Sequence, residues 1–144
     1  DEVLKASEQI KSMGAKKVIP LKVNIASHCP LMKNVSIKLK SYIDENIKVF
    51  NDLKMDFFSS TELKKICAKD IRYMLINQLV NPVRWSDCII KIINEINDFK
   101  INFIEVGPGK VLSGLVKRIT SKITNHEINI FNTDTVEDIE RIKA

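Results

Sequence analysis

A histidine in Ala26-Ser27-His28-Cys29-Pro30-Leu31-Met32 stands where an extended segment hands over to a helix. The stretch before it, Lys17 to Ile25, alternates apolar and polar residues, the period of a half-buried strand. Pro30 cannot continue a strand ladder but suits the first turn of a helix. An imidazole at that junction would sit among unpaired backbone N–H groups and the positive end of a helix dipole, and both disfavour its charged form. A neutral ring with one free nitrogen is therefore expected, and that is what a general base needs. The same residue could do no more than cap the helix.

A second candidate is Gly107-Pro108-Gly109-Lys110, which closes a strand and opens a helix, the setting in which backbone N–H groups can cradle a phosphate. A dinucleotide fingerprint would need its third glycine at position 112, where Leu112 stands; the next glycine is Gly114. Asp134, beyond the following strand, could imitate the ribose-binding acid. A Walker loop fits less well, because Val111 follows Lys110 and Pro108 removes a donor. The plain structural reading is a tight turn, with Gly114 allowing the helix close to the sheet. Cys29 adjoins His28, but sequence neighbours do not generally face each other, so a thiol nucleophile is not expected. His126 falls in a polar turn and is expected to be solvated.

These residues are placed by alternating elements. Val3, Leu4, Ile10 and Met13 share one face of an opening helix that Gly14 stops. A strand to about Ile25 follows, then helix from Leu31 to about Val49 and a short strand over Met55–Ser59. Helices are predicted from Ala68 to Val80, ending at Asn81-Pro82, and from Trp85 to Ile96. Strand Ile101–Val106, helix Val111–Ile123, strand Ile128–Phe131 and a closing helix Thr135–Ile142 capped by Asp134 complete the chain. Strands and helices take turns, so the predicted class is α/β with a largely parallel sheet.

The 144 residues are enough for one domain with a real core, and 44% are hydrophobic. No segment reads as a membrane span or signal peptide. Three cysteines without CxxC spacing predict neither a disulfide framework nor a zinc site, and fit a reducing cytosol. The net charge of +5 comes from lysines interspersed with acids, which supports a mild preference for an acidic partner rather than nucleic acid. The chain opens on Asp1, inside a helical pattern, which suggests a piece of a longer polypeptide.

Three segments, Ser27-His28-Cys29-Pro30-Leu31-Met32, Gln78-Leu79-Val80-Asn81-Pro82-Val83-Arg84-Trp85 and Glu105-Val106-Gly107-Pro108-Gly109-Lys110-Val111-Leu112-Ser113-Gly114-Leu115, together resemble the C-terminal half of the malonyl-CoA:acyl carrier protein transacylase family. They occur in that family's order and at its kind of spacing. The resemblance implies ping-pong acyl transfer from malonyl-CoA to the phosphopantetheine thiol of acyl carrier protein through a malonyl-serine intermediate, in the cytoplasm, with no metal or cofactor. It makes His28 the base. It gives Gln78 the role of orienting that ring through its main-chain carbonyl, which would fix the tautomer with Nε2 free. It also implies that residues 1–26 end a small ferredoxin-like subdomain, and that residues 27–144 form the C-terminal part of a larger, hydrolase-like α/β core.

The family's serine stands in a Gly-x-Ser-x-Gly elbow, and none occurs in this sequence. The chain is therefore expected to carry the base and one wall of the site but no nucleophile, to be inactive alone, and to expose apolar edges that cost solubility. Lys110, Lys117 and Arg118 lie near the glycine turn and could meet an acidic carrier protein. The small Ser27 before His28 leans toward branched malonyl units in modular relatives, though malonyl remains favoured. The opposing expectation is a non-catalytic module, either binding a dinucleotide around Gly107–Gly114 or serving protein interaction.

Overall fold

The computed structural model describes residues 2–20, 23 and 25–143. Helix α1 spans Glu2–Ser12 and ends in a Schellman-type turn. There the Ala15 N–H reaches Ile10 O at 3.2 Å and the Gly14 N–H reaches Lys11 O at 3.0 Å, with Gly14 at φ +98°. Of the strand expected over 17–25, residues 17–20, 23 and 25 are not in a strand, and the remainder lies outside the described residues. Period-two alternation needs a neighbouring edge to become a strand, and no described strand runs beside this one.

A 3-10 turn over Pro30–Met32 leads into α2 (Lys33–Asn46), which stops at Ile47, short of the predicted Val49. Strands β1 (Phe57–Ser59) and β2 (Lys64–Ile66) form an antiparallel hairpin, so the extended stretch at 55–59 is both shorter than expected and paired with an unforeseen strand. Helix α3 (Ala68–Asn77) runs antiparallel to α2, since Ser36 meets Ile76 while Asp44 meets Arg72. Arg72 also donates to Ile47 O at 2.9 Å and lies over the Phe50 ring, which ties the C-terminal end of α2 to α3.

The remaining elements are α4 (Trp85–Glu95), β3 (Lys100–Glu105), α5 (Val111–Thr120), β4 (Glu127–Asn132) and α6 (Val136–Lys143). The parallel pairing expected of most of the sheet is confined, among the described residues, to β3 and β4, in register from Lys100 opposite Glu127 to Glu105 opposite Asn132. Both faces of that ribbon need cover. On one, Ile101 and Phe103 project from β3 toward Ile89 and Ile93 of α4 and Val116 of α5. Ile93, 1% exposed, is the centre of this core. Beyond that cluster the apolar surface is extensive: Val106 and Met13 are each 85% exposed, Val111 73%. These side chains lie at element ends rather than on a strand edge. None of the described helices is long and apolar enough to cross a membrane.

Ile93→Ala should lower unfolding free energy by roughly 2–4 kcal/mol, the range for truncating a buried isoleucine. Urea unfolding followed by circular dichroism would check it, and a loss below about 0.5 kcal/mol would contradict this placement of the core.

Candidate active site

Helix α3 leaves its last carbonyls without intrahelical partners, as every helix does. Sequence makes the shortage acute here, because the residue four beyond Gln78 is Pro82, which has no N–H to give. Each of three successive oxygens finds a donor elsewhere. Ile76 O accepts from the Ser36 hydroxyl at 3.0 Å. Asn77 O accepts from the Val80 N–H at 3.2 Å and from Asn81 Nδ2 at 2.9 Å. Gln78 O accepts from His28 Nδ1 at 2.7 Å, across fifty residues of sequence.

A carbonyl oxygen can only accept, so Nδ1 carries the proton and Nε2 is left with its lone pair in the neutral ring. His28 is half-buried and holds φ +58°, a left-handed conformation uncommon outside glycine although histidine enters it more readily than most residues. Such a backbone costs on the order of 1–3 kcal/mol and persists only where the surroundings fix it. The bond to Gln78 O and the 3-10 turn that begins two residues later do so. The ring therefore addresses the carbonyl end of α3, not the N–H end of the helix that follows it. The environment expected from sequence is corrected on that point, while the contact between His28 and the main chain of Gln78 is present.

The glycine turn is a separate assembly, and among the described residues it makes no hydrogen bond to His28 or Gln78. Gly107 and Gly109 sit at φ +125° and +88°, which only glycine adopts without strain. Their N–H groups are already used: Gly107 donates to Thr133 Oγ1 and Gly109 to Asp134 Oδ1, each at 3.0 Å. At the start of α5 the Glu105 carboxylate accepts from the Leu112 N–H at 3.0 Å and the Ser113 N–H at 2.7 Å. A phosphate would meet occupied donors and a resident negative charge. Ser113, through its hydroxyl and its N–H, holds the Glu105 carboxyl below its ordinary value of 4.5, and the N–H groups of Leu112 and Val111 add to this against the opposing effect of burial.

Asp134 therefore ties the turn to the end of β4, and Thr135 takes the capping role expected of Asp134. Its hydroxyl accepts from the Asp138 N–H at 3.2 Å, and Asp138 Oδ2 accepts from the Thr135 N–H at 3.3 Å, a reciprocal capping box. Burial pushes the Asp138 carboxyl up, but the Thr135 bonds and the charges of Lys110 and Arg141 outweigh it and leave it lowered. Lys110 Nζ lies 3.7 Å from Asp138, whereas Lys117 and Arg118 are exposed on the last turn of α5. A Cβ on Gly114 would meet nothing within 4 Å, so close packing on the sheet is not what that glycine serves.

The remaining candidates stay apart. The Cys29 thiol donates to Ala26 O at 3.2 Å rather than engaging the imidazole. His126 lies in the polar turn before β4, as expected, partly exposed and with Nδ1 3.0 Å from Asp98 O. No group of three potential metal ligands exists among the described residues. Sequence reasoning passed over Ser36 and the capping role of Glu105. The signal for the second was a carboxylate closing a strand just ahead of a helix start.

No family model matches the chain. Curated relatives do, and they bear out the resemblance read from the three motifs. The malonyl CoA-acyl carrier protein transacylase of Bacillus subtilis is 40% identical over 134 residues, 92% of this chain and 40% of its own length. That of Haemophilus influenzae is 36% identical over 88% of the chain. Among solved structures, the malonyl-CoA:acyl carrier protein transacylase of Xanthomonas oryzae superposes with a TM-score of 0.81 at 26% identity, over 97% of this chain and 42% of that one. Such neighbours share the mixed α/β content predicted here. The chain spans about two-fifths of the length of the curated relatives it matches.

Glu105 supplies an acid-sensitive contact. Because its carboxyl is lowered in the folded protein, its contribution is complete above the ordinary value of 4.5 and is lost as pH falls through the lowered one. Glu105→Gln should flatten the fall in melting temperature on acidification below about pH 4.5 while leaving Asp138 to titrate; parallel curves for the two proteins would contradict this.

Proposed function

We propose that this chain, a relative of the malonyl CoA-acyl carrier protein transacylases along nine-tenths of its length, is the C-terminal portion of such an enzyme and supplies its general base. The observation that carries the reading is the 2.7 Å bond from His28 Nδ1 to Gln78 O, which leaves Nε2 to take a proton. In this reading residues 1–26 close a small ferredoxin-like subdomain, and residues 27–144 are the C-terminal part of a hydrolase-like core. The serine lies in a segment upstream of this chain.

The chemistry follows from one nitrogen used twice. The serine hydroxyl attacks the thioester carbon of malonyl-CoA as its proton passes to His28 Nε2. The tetrahedral intermediate collapses, the C–S bond breaks, and the departing CoA sulfur takes that proton, leaving malonyl-serine and a neutral ring. The phosphopantetheine thiol of acyl carrier protein then gives its proton to Nε2 and attacks the ester. Collapse returns the proton to the serine oxygen and releases malonyl-acyl carrier protein. Throughout, Gln78 O holds the Nδ1 proton, and its partial negative charge stabilises the imidazolium that forms in each half-reaction.

A solved relative is a type II polyketide acyl carrier protein in complex with its malonyl-transacylase, 31% identical over 96% of this chain with a TM-score of 0.79. That supports an acyl carrier protein as partner here. Lys117 and Arg118 are the better docking candidates, since Lys110 is engaged with Asp138. Cytoplasmic location accords with both carrier and thioester as partners.

In the enzyme completed with its serine-bearing segment, His28→Gln should lower kcat for malonyl transfer by about 10²–10⁴-fold, the usual worth of a positioned base. The 144-residue chain alone should transfer none, as read by mass spectrometry of holo-acyl carrier protein. Wild-type rates in the His28→Gln enzyme would overturn the assignment of the base. His28-dependent loading by the chain alone would overturn the missing nucleophile.

A further inference from the structure

We infer that Ser36 is a positioning residue for His28, acting through the last turn of α3. The inference rests on the reading of His28 as the base. Ser36 lies on α2, is 8% exposed, and gives its hydroxyl proton to Ile76 O at 3.0 Å. Only Asn77 separates Ile76 from Gln78, so the two side chains of the 28–36 segment grip two oxygens of a single turn.

The reason for the grip lies in how that turn ends. In a continuing α-helix the Val80 N–H would bond Ile76 O; here it bonds Asn77 O instead, at 3.2 Å, so the turn is tightened. The two arrangements compete for one N–H, and they aim the Gln78 carbonyl differently because residues 77–80 rotate between them. Ser36 occupies Ile76 O and so removes the demand that would draw Val80 back. Without the hydroxyl, a partly buried oxygen loses its donor, and the nearest replacement is that same N–H. The tight turn would then give way, Gln78 O would swing off Nδ1, and the proton would be free to move to Nε2, where it blocks base chemistry.

Ser36 touches no reacting atom in this scheme. Its effect reaches the ring through Ile76 and Gln78, while α2 and α3 stay joined at their other ends by Asp44, Arg72 and Ile47. The removal of the hydroxyl should therefore leave the fold intact.

The molecule provides its own control. His126 also holds Nδ1 against a carbonyl, Asp98 O, and that contact lies in the turn before β4. Ring nitrogen shifts of the 15N-labelled 144-residue chain, recorded near pH 8.5 where imidazole is ordinarily neutral, report each tautomer. In the wild type both histidines should show Nδ1–H. Ser36→Ala should lower the ratio of Nδ1–H to Nε2–H at His28 by about fivefold, the scale of one lost hydrogen bond, with His126 unchanged. Ser36→Thr, which keeps the hydroxyl, should restore the wild-type ratio. Should the Ala variant lose the His126 signature through unfolding, Ser36→Thr against Ser36→Val makes the same comparison at matched volume. An unchanged ratio at His28 in a folded variant lacking the hydroxyl would overturn the inference. In the completed enzyme, Ser36→Ala should lower kcat in proportion to the measured loss of the Nδ1–H fraction, with KM for malonyl-CoA unchanged. A tautomer shift without any effect of His28→Gln on transfer would leave the linkage standing and bring down only the functional reading.

Discussion

The end of one helix governs the candidate site. A backbone oxygen that cannot be paired inside α3, because proline occupies the position that should donate to it, must be satisfied from elsewhere in the fold. An imidazole fifty residues earlier satisfies it. A histidine whose Nδ1 is committed to a main-chain acceptor has its tautomer and its direction decided together, and among the described residues no carboxylate pairs with it. The arrangement depends on helix ends being held in register, which falls to α2 and its bonds to α3. Fold and chemistry meet in that helix pair, not in the sheet.

The glycine turn shows the same economy of backbone groups, and there it leaves little for an anion to bind. Thr133, Asp134 and Glu105 take up the N–H groups of Gly107, Gly109, Leu112 and Ser113, so a motif that looks like an anion cradle laces two strand ends together. The side chains that close it come partly from beyond β4, some 25 residues later. Their effect is to fix where α5 starts, and with it the core packing of Val116 against Ile93 and Ile101.

Much of this was legible in the residues. Helices α2 to α5 and strands β3 and β4 carry strong periods over stretches long enough to declare them, and Pro82 announces the end of α3. The link from His28 to Gln78 came from a resemblance, since nothing local joins residues fifty apart. What stayed hidden has physical reasons. Strand β2 is three residues long with a single buried side chain, Ile66, too little for any period to show. The alternation at 17–25 promised a strand that the described residues do not form, because pattern states a preference and a neighbouring edge grants it. Asp134 and Thr135 are both good caps, and a contest between adjacent residues is decided by which oxygen faces the N–H groups. Ser36 reads as an unremarkable polar residue on a helix until its carbonyl partner is known.

Position 28 also sets stability against utility. Glycine would adopt its left-handed backbone without penalty, and asparagine nearly so, yet neither offers a ring nitrogen to Gln78. The chain carries a bulkier residue there than its own conformation favours. Glycine would relieve that strain but leave Gln78 O without its donor, so the two costs offset each other and the imidazole is kept by balance, not by backbone preference.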